Sequence, residues 1–95
     1  MEQTNPENIL STILNPSALI DYQDGSIVSK TIVEKASGTI TLFAFDKGQK
    51  LSTHTSPFDA AVHVVEGIAE IVIDKKPFFV SAGEMIIMPA GIPHA

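Results

Sequence analysis

The apolar residues near the beginning of the chain are spaced as in a helix. Four of them, from Ile9 to Leu14, recur with helical periodicity. Asn5-Pro6-Glu7 precedes them and supplies a capping residue, a proline for the first helical position and an acid near the positive end of the helix dipole. We therefore predict one short amphipathic helix over residues 6–14, which Asn15-Pro16 ends.

From residue 26 onward, short apolar runs replace the helical spacing. Runs rich in β-branched, aromatic and other apolar residues occupy positions 27–33, 39–45, 60–65, 68–73, 78–80 and 85–88. Turn residues separate the runs, Glu66-Gly67 predicts a tight hairpin, and no helical segment intervenes. The pattern predicts an all-β sandwich or barrel over residues 26–95, after an N-terminal helix and link over residues 1–25.

Composition and charge exclude several classes of partner and chemistry. The 95 residues carry 11 acidic and 6 basic side chains, for a net charge of -5, so a basic footprint for nucleic acid or anionic lipid is missing. The absence of cysteine excludes disulfides, thiolate metal sites and cysteine nucleophiles. No apolar run approaches the roughly 20 residues that cross a bilayer, and the N-terminal residues lack a signal-peptide pattern. We expect a cytoplasmic protein without nucleic-acid or membrane partners.

Two histidines each follow a glycine and a short run. His54 comes after Gly48, and His94 comes shortly after the Pro89-Ala90-Gly91 turn that closes the last apolar run, with Ile92-Pro93 between them. Such a turn forms a sharp corner and holds the imidazole at the mouth of a strand. Histidines on separate strands converge only if the sheet curls, so the pair predicts a barrel with a pocket. Histidine is also the commonest metal ligand in proteins.

The spacing of these residues resembles the cupin superfamily, in particular small single-domain microbial members. The second cupin motif is met in full by Gly83, Pro89, Gly91 and His94, and the first motif begins correctly with Gly48 and His54 and ends correctly at Gly67. The resemblance implies an all-β fold, a cupin-type double-stranded β-helix (jelly-roll barrel), with the short helix in front. Relatives continue past the final histidine, so residues 26–95 are expected to lack the last strand or strands, through truncation or because a partner supplies the edge.

The resemblance also implies a ligand set, of which this chain keeps half. Metal-binding cupins use three histidines and a glutamate, but the second histidine and the glutamate correspond here to Ser56 and Ala60. His54 and His94 remain, with Asp59 as a substitute carboxylate. Strand alternation counts against Asp59, whereas a bend just upstream would re-aim it. Two alternatives stay open: a divalent metal (zinc, iron, manganese or nickel) on these three residues, or no metal.

The remaining site predictions follow from strand parity. If Ala60, Val62 and Val64 face the interior, His63 faces outward, toward an outer surface or a subunit contact. For Asp59, a turn or capping role and a pocket role are equally open. The residues expected to line the pocket are His54, Ser56, Phe58, Ala60, Val62, Met88 and His94.

Cupins include enzymes, storage proteins and ligand-sensing modules, so the resemblance settles no activity. We predict a small molecule bound in the barrel, with a divalent metal on His54 and His94. The alternative is a metal-free module for a small polar or sugar-like ligand without catalysis, and a structural homodimer without ligand is a third hypothesis. Whether the chain is an enzyme, and which residues would be catalytic, is left open. A homodimer is expected because the domain is small and residues 27–33 are apolar on both faces.

Overall fold

The computed structural model of the protein describes residues 9–95. These residues belong to two compact units, Met1–Gln49 and Lys50–Ala95. Strands dominate both units, and the described helical structure amounts to a single helical residue at Ile9 and one 3-10 turn, Pro16–Ala18. Within the described residues, no helix is long and apolar enough to span a membrane.

The first unit is built around one antiparallel hairpin. Strand β1 (Ile27–Lys35) pairs with β2 (Gly38–Phe45), as their β-branched and aromatic composition predicts. The register shifts between Thr31 and Val33, a bulge that leaves Ile32 buried. The open end of the hairpin is tied by the Asp46 carboxylate, which accepts a hydrogen bond from the Gly25 N–H at 2.6 Å.

The helix predicted over residues 6–14 does not continue past Ile9, and residues 6–8 lie outside the described part of the chain. Leu10 and Ser11 form a turn in which the Thr12 N–H donates to the Ile9 carbonyl at 3.2 Å. Ser11 adopts a φ of 58°, a left-handed conformation that ends a right-handed helix. Ile13, assigned to the apolar face, is 100% exposed, so the periodic spacing there does not correspond to packing.

The second unit contains two antiparallel strand pairs of different origin. Strand β3 (Ala60–His63) pairs with the distant β6 (Met85–Met88), whereas β4 (Ile68–Ile73) pairs with the adjacent β5 (Lys76–Ser81). The prediction of a tight hairpin at Glu66-Gly67 is therefore wrong, because β3 and β4 pair with different strands. A φ of 79° at Gly67 turns the chain from one pair to the other, and the Gly67 carbonyl accepts a hydrogen bond from the Ala82 N–H at 2.9 Å.

Side-chain alternation in β3 follows the predicted parity. Ala60 and Val62 are half-buried and Val64 is buried, whereas Ala61 and His63 are exposed. His63 lies opposite Met85 of β6 on the exposed side of this pair.

The β4–β5 turn is unusual because neither central residue is glycine. Asp74 and Lys75 have φ values of 49° and 69°. Two consecutive positive φ angles are the signature of the two-residue hairpin turn whose twist matches its strands, and glycine or asparagine usually occupies it. Lysine carries a steric penalty in this conformation, so the turn stores backbone strain.

Candidate functional site

His54 and His94 lie opposite each other in a short antiparallel bridge. The N–H of each residue donates to the carbonyl of the other, at 2.9 and 2.8 Å. On its other side the His94 segment pairs with β4, where Val72 and Ala95 exchange hydrogen bonds at 2.8 and 2.9 Å and the Asp74 N–H donates to Pro93 at 2.9 Å. The His94 segment thus runs as a short strand between the His54 segment and β4.

A turn directly before His94 sets the direction of this strand. Gly91 has a φ of 74°, which glycine adopts without strain, and the Ile92 N–H points back to the Pro89 carbonyl at 3.4 Å. The Gly91 N–H donates to the carbonyl of Ser56 at 2.8 Å. The turn that the motif glycine and proline indicate is therefore attached to the segment that follows His54.

The two imidazole rings meet through their Nε2 atoms, which are 3.1 Å apart. The ring centroids are 4.4 Å apart, with an angle of 74° between the ring planes. The Nδ1 atom of His54 is 2.7 Å from the Ser52 carbonyl, and that of His94 is 3.3 Å from the Ile92 carbonyl. A carbonyl oxygen can only accept, so each contact needs hydrogen on Nδ1: the 2.7 Å contact of His54 is short enough to favour this tautomer, whereas the 3.3 Å contact of His94 is too long to fix it.

This arrangement determines what can lie between the rings. A neutral imidazole with hydrogen on Nδ1 presents a bare lone pair at Nε2. At 3.1 Å such a lone pair on one ring either accepts a hydrogen bond from the Nε2–H of the other ring or, if neither Nε2 carries hydrogen, repels the second lone pair unless a metal ion lies between them. His94 is only 5% exposed, whereas His54 is exposed, so the pair is buried on one side and open to solvent on the other.

Asp59 is not grouped with the two histidines. Its Oδ1 accepts a hydrogen bond from the Ala90 N–H, in the turn before His94, at 2.8 Å. Among residues 9–95, no group of three or more metal-ligating side chains is close enough to hold an ion together. Of the predicted ligands, the structure brings His54 and His94 together and leaves Asp59 outside the pair.

The other predicted pocket residues occupy the strand pair and loop described above. Ser56 is half-buried, and its hydroxyl accepts a hydrogen bond from the Phe58 N–H at 3.2 Å. Phe58 is 74% exposed. Ala60 lies opposite Met88 and, like Met88 and Val62, is half-buried.

A cavity of about 210 Å³ borders His94 within the second unit. His94 is the one predicted pocket residue that lines it, so a pocket role for the others stays a prediction. The residues that sequence reasoning missed are Thr53, Val72, Asp74, Lys75, Pro93 and Ala95. Thr53, Pro93 and Ala95 adjoin the two histidines in the chain, but Val72 of β4 and the turn residues after it come near only through a long-range pairing.

Comparisons with known proteins agree with this architecture. Residues 41–95 match the family model of the Cupin domain. A conserved protein of unknown function from Streptococcus pyogenes is 39% identical with a TM-score of 0.82, over 88% of this chain and 74% of that one. A Cupin 2 conserved barrel domain protein from Leptotrichia buccalis is 42% identical with a TM-score of 0.80, and the alignment covers 82% of this chain but only 38% of that protein.

A third solved structure shows the same fold at lower identity. A cupin superfamily protein from Desulfitobacterium hafniense is 21% identical with a TM-score of 0.81, over 88% of this chain and 77% of that one. None of the curated proteins matches the chain. The family match covers more than half of the sequence, and the described strands agree with it. The chain therefore belongs to the cupin superfamily and has its all-β, double-stranded β-helix fold.

Proposed function

We propose that this cupin binds a divalent transition-metal ion through the Nε2 atoms of His54 and His94, and a small molecule beside it. The observation that carries the proposal is the 3.1 Å separation of the two Nε2 atoms, in rings whose Nδ1 atoms both face backbone carbonyls. A carbonyl on Nδ1 is the usual support of a metal-ligating histidine, since it fixes the tautomer and turns the lone pair toward the ion.

The donor pair fits a metal in distance and chemistry. Two nitrogens that share an ion, each about 2.0–2.1 Å from it, lie roughly 3 Å apart. The 3.1 Å separation agrees with this requirement. Imidazole suits zinc, iron and nickel better than manganese, which prefers oxygen ligands, so we rank manganese last among the four metals. With two protein ligands, the remaining positions fall to water or to the small molecule.

A bound ion would polarise an oxygen of the small molecule or activate water. The chain itself supplies two functions here. Backbone pairing on both sides holds His94 in place, and the adjoining cavity of about 210 Å³ has a mainly apolar lining to which Thr53, Asp74 and Lys75 also belong. Sites for drug-sized ligands span about 300–1,000 Å³, so this cavity suits a smaller molecule.

The second candidate is a metal-free module that binds a small polar or sugar-like ligand without catalysis. The number of metal-ligating side chains favours this candidate, because residues 9–95 bring no third such side chain to the histidine pair. A hydrogen bond between the two Nε2 atoms satisfies the pair without any metal. In this case both ring nitrogens of His54 already have partners, so the ligand would be held by other groups of the cavity beside His94.

Metal analysis of protein purified without chelator or nickel resin separates the two candidates. We expect about one equivalent of metal per chain, lost in both His54→Ala and His94→Ala because each removes a ligand. His63→Ala is the matched control, since His63 lies on β3 outside the pair. Metal-free parent protein supports the second candidate, and equal metal content in His54→Ala and the parent contradicts the first.

We also propose a homodimer and a cytoplasmic location without nucleic-acid or membrane partners. The exposed side of the β3–β6 pair carries apolar side chains, with Met85 58% and Ile87 61% exposed, which favours a covering partner. Gel filtration against the 10.2 kDa monomer mass tests the dimer. The cysteine-free sequence agrees with a reducing compartment, and the net charge of -5 disfavours polyanion binding.

A further inference from the structure

The segment after His54 is attached to the turn before His94 at two points. The Ala90 N–H donates to the Asp59 carboxylate at 2.8 Å, and the neighbouring Gly91 N–H donates to the Ser56 carbonyl at 2.8 Å. We propose that Asp59 is a positioning residue that fixes the turn before His94 and thereby sets the distance between the two imidazoles. This inference rests on the proposed function, because the distance matters if the pair binds an ion.

His94 depends on its turn more than His54 depends on its own loop. The Nδ1 contact of His94 to Ile92 is 3.3 Å, whereas that of His54 to Ser52 is 2.7 Å. Ile92 belongs to the turn, and its own N–H reaches the Pro89 carbonyl only at 3.4 Å. The internal hydrogen bonds of this turn are therefore long and weak, and its position depends on bonds from outside.

The Asp59 carboxylate supplies one of the strongest of these outside bonds. Hydrogen bonds to an ionised carboxylate are roughly twice as strong as neutral ones. Asp59 is separated from Ala90 by 31 positions, so the bond joins two distant parts of the chain. The His94 backbone is held by the His54 segment and β4, so a displaced turn would act on the ring: Ile92, two positions before His94, carries the carbonyl that faces His94 Nδ1, and its movement would turn the His94 Nε2 away from that of His54.

The location of Asp59 argues against it as a metal ligand. Its Oδ1 already accepts from Ala90, and among the described residues Asp59 joins no group of three metal-ligating side chains. A ligand and a positioning residue respond differently to substitution. Asparagine keeps a side-chain oxygen that accepts the Ala90 hydrogen bond, but it is a poor ligand for a transition metal.

The test compares Asp59→Asn and Asp59→Ala in two measurements. The first is the nitrogen NMR spectrum of the imidazole rings in metal-free protein, which reports the protonated nitrogens and the contact between the Nε2 atoms. The second is zinc affinity by competition titration. We expect Asp59→Ala to change the ring signals of His54 and His94 and to weaken zinc binding about tenfold or more. We expect Asp59→Asn to keep the ring signals and to bind within about threefold of the parent.

Asp46→Ala is the matched control, because it removes a carboxylate bond of the same kind, from the Gly25 N–H at 2.6 Å in the first unit. It should leave the ring signals unchanged even if it lowers thermal stability. The proposal is overturned if Asp59→Ala matches the parent in the ring signals, if Asp59→Asn is as impaired as Asp59→Ala, or if Asp46→Ala perturbs the rings equally. A parent protein that takes up no zinc refutes the proposed function, and the ring signals alone then decide the role of Asp59.

Discussion

His54 and His94 face each other across one bridge but are held by different means. His54 is exposed, and a short 2.7 Å contact from its own ring to Ser52 holds it. His94 is buried, its ring contact is 3.3 Å, and its backbone pairs with neighbours on both sides. One imidazole is thus oriented by its side-chain bond, and the other by the strand and turn that carry it. The same residue type therefore differs in its importance for folding.

Substitution of the two histidines is expected to differ most in its effect on the free energy of unfolding. His94→Ala removes a buried ring and should lower the free energy of unfolding by roughly 2–3 kcal/mol, whereas His54→Ala should change it by about 0.5 kcal/mol or less. Urea unfolding of the metal-free proteins measures both values. Equal losses in the two variants would show that the rings are held alike.

The turn before His94 provides the next test. Gly91→Ala places a side chain at a φ of 74° with no atom within 4 Å of the new Cβ, so strain in the backbone is the sole expected cost. We expect a loss of about 1–2 kcal/mol, together with weaker metal uptake as the His94 strand shifts. Gly38→Ala is the control, because its surroundings are equally open and its φ is not positive. A loss at Gly91 no larger than at Gly38 contradicts the strain account.

A substitution in the β4–β5 turn is expected to raise the free energy of unfolding. Lys75 has a φ of 69°, so Lys75→Gly should raise the free energy of unfolding by about 0.5–1 kcal/mol by relieving strain. Lys76→Gly, in β5 without a positive φ, should instead lower it by roughly 0.5–1 kcal/mol. Thermal unfolding monitored by circular dichroism compares the two variants. Destabilisation by Lys75→Gly would mean that the lysine side chain makes a compensating contact.

The smallest effect is expected at the third histidine. His63 is exposed on β3, opposite Met85. His63→Ala should change the free energy of unfolding by less than about 0.5 kcal/mol and leave metal content unchanged. A loss of metal in this variant would contradict the two-histidine site. A lower apparent mass in gel filtration would instead place His63 at a subunit contact.

Local signals in the sequence predicted much of the fold. The β-branched residues of β1 and β2 gave the positions of both strands, and the spacing from Gly83 to His94 identified the family and the turn at Gly91. These features depend on residues near each other in the chain. Local patterns indicate where strands lie but not which strands pair. For this reason the prediction of a hairpin at Glu66-Gly67 was wrong.

The details of the site were harder to predict because they depend on contacts between distant residues. The meeting of His54 and His94 could be inferred from the two motifs, and the structure contains it. The tautomers of the two imidazoles could not be inferred from the motifs, since they depend on where the Ser52 and Ile92 carbonyls point. The bond from Ala90 to Asp59 joins residues 31 positions apart, and no periodicity encodes such a pairing.

The direct contact between the two rings limits how a metal ion can bind. Because the Nε2 atoms are only 3.1 Å apart, a hydrogen bond between them and a metal ion bound to both would occupy the same space, so the two are mutually exclusive. Metal loading would then require the contact between the histidines to break, and the free energy of breaking it would subtract from the affinity for the ion.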